Sequence, residues 1–172
     1  MVCAMHRLFQ SEEDDQFMEG VVFPGEDIGM FEELKARAQL EGILMGLAGS
    51  LLMVSRLNKD FKERLMERNG ITEIRTRDHA VAWDFTVSRG RLTARRGPHP
   101  SPDYEMVYQD IPTAVAILSD GSEEATMQAM MEGTLTFHGD LEFGMWFNER
   151  LQALGALIKE KQKSMAWLRP GK

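Results

Sequence analysis

The stretch AVAWDFTVSRGRLTARRG, residues 80 to 97, most constrains what this chain can fold into. Val81, Trp83, Phe85 and Val87 alternate with Ala82, Asp84, Thr86 and Ser88, which is the period of a half-buried strand. Arg89-Gly90 then makes a hairpin signal, and Leu92 and Ala94 continue the inward face. The segments on either side have a helical period, so one chain must bury strands and helices together, the mark of an α+β fold. ITEIRTR before the hairpin and YEMVYQD after it read as further strands, with Tyr104, Met106 and Tyr108 on one face of the latter. Pro98, Pro100 and Pro102 form a stiff loop between. Short turns joining four strands predict an antiparallel sheet.

Helices surround this block. From about Gly29 to Leu57, Leu40, Leu44, Leu47, Leu51 and Val54 recur at spacings of three and four. The opposite side is also apolar between Ile43 and Met53, which predicts a largely enclosed helix. Gly42, Gly46 and Gly49 weaken it intrinsically. Tight packing inside the monomer explains them, with a ligand mouth or dimer interface as the alternative. Asn58 caps a shorter helix carrying Phe61, Leu65 and Met66, ended by Gly70. Downstream, Pro112 opens a helix that Asp120-Gly121 breaks, and Ser122-Glu123-Glu124 opens another. Met127, Met130 and Met131 share one face of that second helix. Gly133 stops it, Leu135 and Phe137 mark a fifth strand, and Asp140 caps a last helix reaching about Lys161. Phe143, Phe147, Leu151, Leu154 and Ile158 form its stripe, widened by Met145 and Trp146.

With 172 residues the chain can bury a sizeable core. A formal net charge of -7 argues against nucleic acid, which needs a positive surface. The charge is uneven: nine acids and no base lie between Glu12 and Glu33, while Arg150 to Lys172 holds six bases and one acid, Glu160. Cys3 stands alone, so no internal disulfide forms. The N-terminus lacks a signal-peptide run, and Gly42 to Val54 is too short to cross a bilayer, so the expectation is a cytoplasmic protein.

Chemistry-bearing motifs are absent from the sequence. His6, His79, His99 and His138 have no metal-ligand spacing, so no metal or other cofactor is expected. There is no Gly-x-Ser-x-Gly elbow, phosphate loop or dinucleotide fingerprint. Asp140 is explained by capping and Asp84 by a solvent-facing strand position. The chain therefore reads as a non-enzyme.

The order of elements, AVAWDFTVSRGRLTARRG, then IPTAVAILSDGSEEATMQAMMEGTLTFHGDLEFGMWFNERLQAL, resembles the sterol carrier protein family, the non-specific lipid-transfer or sterol-binding domain. Gly121 matches the family's glycine before the second helix, and GTLTFHGD from Gly133 to Asp140 matches its Gly-x-Leu-x-x-x-Gly-Asp strand. The resemblance covers about Asn58 to Lys161. It implies a five-stranded, mainly antiparallel sheet covered by helices, with an apolar tunnel for fatty acyl, sterol-like or similar lipids and no catalytic residues. The matching pocket positions are Trp83, Phe85, Met106, Ile117, Leu118, Met127, Met130, Met131, Leu135, Phe137, Trp146 and Phe147. The same residues would also make a solid core. The long helix before Leu57, the acidic arm and the ending Arg169-Pro170-Gly171-Lys172, which is not of the peroxisomal type, depart from the family and together suggest a prokaryotic relative.

The expected organisation is an acidic arm (1–27), an added N-terminal helix (28–57) and a sterol-carrier-like domain (58–172). The expected role is a carrier of an apolar ligand. The alternative is an accessory protein presenting a hydrophobic intermediate, such as a quinone precursor, to partner enzymes. The N-terminal helix offers a surface for a homodimer or partner enzyme. The tail around Met165, Trp167 and Leu168, with Lys159, Lys161, Lys163 and Arg169, offers transient contact with an anionic membrane or a partner for the acidic arm.

Overall fold

The computed structural model describes the backbone of residues 27–166 and the side chains of residues 29–158. The acidic arm, Cys3, His6 and the Trp167 tail lie outside the described residues. Helix α1 (Asp27–Leu57) leads into α2 (Lys59–Leu65), then strands β1 (Gly70–Thr76), β2 (Ala82–Ser88), β3 (Arg91–Arg96) and β4 (Tyr104–Tyr108). Helices α3 (Ile111–Asp120) and α4 (Glu123–Met131), strand β5 (Leu135–Gly139) and helix α5 (Leu141–Ala166) complete an α+β fold.

The sheet runs β3-β2-β1-β4-β5. Three pairings are antiparallel, as expected, but β4 runs parallel to β1. The simple meander therefore breaks after β3. A parallel neighbour needs a crossover, and residues 97–103 supply it with the three prolines. This strap is tied down along its length. Gly97 N donates to Ala82 O at 2.8 Å, His99 N to the Glu73 carboxylate at 2.5 Å, and Asp103 N to Ile71 O at 2.9 Å. Ile71 N donates back to Asp103 Oδ2 at 2.8 Å.

Beneath the strap, strand register places Arg95, Asp84, Glu73, Glu105 and His138 in one row across the outer face. Asp84 is 3% exposed and Glu73 2%. The solvent-facing position expected for Asp84 is thus wrong: it lies buried between Arg95 and Glu73, and the strap's His99 N reaches that Glu73. Burying such charges requires partners. Arg95 Nε donates to Asp84 at 2.9 Å, and Arg75 lies 3.3 Å from Glu73 and 2.7 Å from Glu105.

The helices gather on the inner face. Leu40, Leu44, Ala48 and Leu51 of α1 are buried, and α1 packs on α2, α3, α5 and β3. The other side of α1 is not enclosed: Met30, Phe31, Leu34, Met45, Met53 and Leu57 are at least half exposed. A side chain at Gly42 or Gly49 would meet open space, so tight monomer packing does not explain those glycines. One layer of helices covers the sheet, and nothing among the described residues covers that layer. By length and composition Gly29–Leu57 could cross a membrane, yet its leucine stripe is committed to the core.

The caps expected at Asn58, Ser122 and Asp140 appear, and Asp110 adds one that was not expected. The side chains of Asn58, Asp110, Ser122 and Asp140 each accept a backbone N–H at the start of a helix. Gly121 adopts φ 62° at the end of α3, a left-handed conformation that favours glycine. Gly70, expected to end α2, instead begins β1.

Candidate ligand-binding face

The inner face of the sheet is built in rows. Trp83, Ile74, Met106 and Phe137 lie side by side, and the next row is Phe85, Thr72, Tyr104 and Gly139. Helix α5 presses its aromatic side onto these rows. Phe147 meets Phe85 with ring centroids 6.1 Å apart, and Phe143 stacks on Trp146 at 5.5 Å. A methyl group at Gly70 would come within 2.6 Å of the Phe143 ring, so this glycine allows the close approach. Trp146 Nε1 donates to Glu67 at 3.1 Å, and Arg150 lies over the Trp146 ring at 5.4 Å.

The structure divides the predicted pocket residues into three groups. Trp83, Phe85, Leu135, Trp146 and Phe147 are buried in the common core. Met106, Ile117, Leu118 and Phe137 are half-buried around its α3–β5 edge. Met127, Met130 and Met131 stand outside, 53%, 45% and 79% exposed. Helical spacing puts these three methionines on one face but does not say which way that face points. Helix α4 buries only Ala129, on its other side, so the methionines turn to solvent. Met145 of α5 is exposed as well. Eight of the nine methionines with described side chains are exposed.

The core is solid. Where Leu40, Leu44, Ile74, Val81, Tyr108 and Ala114 meet, the packing leaves no room for a water molecule. An open depression of about 260 Å³ lies on α4, lined by Glu123, Glu124, Met127, Gln128 and Met131. That is smaller than the ~300–1,000 Å³ typical of a ligand pocket. Burial pushes the Tyr104 hydroxyl up to about 12, and that of Tyr108 higher still, with a further push from Tyr104. Both shifts mark an interior short of water. The Thr72 hydroxyl is buried without a hydrogen-bond partner.

Two features escaped sequence reasoning. Glu41 accepts from Trp83 Nε1 at 2.9 Å and pairs with Arg96 at 2.6 Å, latching α1 to the sheet. A single acid inside the apolar run from Ala38 to Ser55 was the available signal. The other is Ala129, too small to stand out beside three methionines. His79, His99 and His138 join no metal-binding group, and among the described residues no cluster of three His, Cys, Asp or Glu could hold a metal ion.

No family model matches the chain, and no curated protein matches it. Solved structures do. A ubiquinone synthesis protein, UbiJ-SCP2, aligns with 64% of this chain and 86% of its own at 13% identity and a TM-score of 0.46. The sterol carrier protein domain 2 of Helicoverpa armigera aligns with 66% of this chain and 88% of its own, at 12% identity and a TM-score of 0.48. A sec-alkylsulfatase from Pseudomonas sp. aligns at 22% identity and a TM-score of 0.39 over 53% of this chain, which spans only 14% of that enzyme. Sterol carrier protein domains thus stand among the structural neighbours of this chain.

Proposed function

We propose that this protein is a non-catalytic, cytoplasmic carrier for a hydrophobic molecule of fatty acyl or sterol-like type. The ligand would enter between the inner sheet face and α4. One observation carries this reading: α4 is held to α3 and β5 with only Ala129 buried, above the half-buried Ile117, Leu118 and Phe137. Lifting α4 therefore costs little apolar burial, while each ligand methylene gained contributes about 0.8 kcal/mol. The form described is closed, so apparent affinity is reduced by the fraction of molecules that are open. The half-buried side chains are apolar, which favours a chain or ring system over a polar head. A fluorescent fatty acid titrated into delipidated protein should bind saturably, and Leu118→Lys should weaken binding at least about tenfold while Met131→Ser leaves it unchanged. Failure of the unmodified protein to take up the probe would sink the carrier reading. Equal loss in both variants would move the site to the outer face of α4.

A further inference from the structure

Charge is segregated across this fold. Residues 34–96, from the early part of α1 through β3, carry thirteen Lys and Arg against seven Asp and Glu. Residues 97–149, from the strap into α5, carry ten Asp and Glu and no Lys or Arg. In the sheet order these are opposite sides, with β3 at the basic edge and β5 at the acidic one. The basic side is continuous: α1 and α2 both pack against β3, and a methyl group placed on Gly90 at the hairpin tip would come within 3.5 Å of Lys62 O. Lys35, Arg56, Lys62, Arg89 and Arg91 there form no ion pair among the described residues. The exposed Met45, Met53 and Met66 belong to the same helices. The surface is thus both cationic and apolar, and nothing among the described residues covers it.

We propose that the chain's own residues 12–26, EEDDQFMEGVVFPGE, dock on this basic, methionine-bearing side. The segment has six acids and no base, interleaved with Phe17, Met18, Val21, Val22 and Phe23, so it complements both properties. It joins α1 directly at Asp27. Fifteen residues extend about 50 Å, and α1, at 31 residues, is about 46 Å long, so the segment reaches any part of the surface. Tethering gives it an effective concentration on the order of millimolar, which a second copy at micromolar concentration does not match.

Zero-length carbodiimide cross-linking of the full chain, as an equal mixture of isotope-labelled and unlabelled protein, tests this. The expected result is carboxylate–lysine links from Glu12, Glu13, Asp14, Asp15 or Glu19 to Lys35, Lys59 or Lys62 within one chain. Their yield should fall at least about fivefold between about 0.05 and 1 M salt, as the screening length shortens to about 3 Å. The Arg56→Glu/Arg91→Glu double variant, altered only at exposed positions, should lose a similar share. Links between labelled and unlabelled chains would assign the surface to a second copy and overturn the proposal. Links only to Lys159, Lys161 or Lys163, or no links from the segment, would overturn it equally.

Discussion

Helices α4 and α5 follow one another in the chain and both carry methionine among their apolar residues, yet the fold uses them in opposite ways. Helix α5 drives Phe143, Phe147 and Leu154 into the core and seats Trp146 against Arg150. Helix α4 contributes one alanine and shows its methionines to water. Apolar content alone therefore does not tell an anchor from a cover. What separates them is depth of insertion, and a cover held by one small side chain is the element a ligand can most easily displace.

The largest test of this contrast is Phe147→Ala. It removes a fully buried ring and should cost about 3–5 kcal/mol in urea denaturation. Retention of full stability would mean α5 is no anchor. Next is the alkaline limb. The protein has two tyrosines, Tyr104 and Tyr108, both buried under the helix layer. The folded state favours the neutral phenol, so this stability is intact below the ordinary value of 10 and is lost as pH rises toward about 12. Tyrosinate absorbance should therefore appear late and together with unfolding. Early ionisation of one tyrosine in the folded protein would reveal water beneath the helices. The caps give a smaller effect. Asp140→Ala should cost about 1 kcal/mol of global stability. Ser122→Ala should instead speed hydrogen exchange in α4 alone, with little change in the global transition. Smallest is Met131→Ser, expected within about 0.5 kcal/mol of the parent, since the side chain is mostly in water.

The parts of this fold legible in the sequence were those encoded locally. The Arg89-Gly90 turn appears with φ values of 51° and 72°, and the caps at Asn58, Ser122 and Asp140 hold as expected. Period-two alternation correctly turned Trp83, Phe85 and Val87 inward. What stayed hidden depends on partners distant in the chain. Nothing near Asp84 announces that it will be buried, and nothing near Tyr104 announces that β4 will seek β1 rather than β3. The direction of the Met127–Met131 face is decided by α3 and β5, which the helix's own spacing does not encode. Helix α1 looked enclosed because its opposite side is also apolar between Ile43 and Met53, while the described residues supply only one wall.

The strap also sets an order of events. Strands β1 to β3 are joined by near-neighbour turns and can pair as soon as they are made. Strand β4 gains its place beside β1 only after residues 97–103 have traversed the sheet and Asp103 has found the Ile71 amide, 32 positions earlier in the chain. Closing such a span costs chain entropy before any contact repays it. The β4–β5 half, with α3, α4 and α5 attached, should therefore assemble after the β1–β3 half. The side of the molecule assigned here to ligand entry is then the last to be built and the first to come undone.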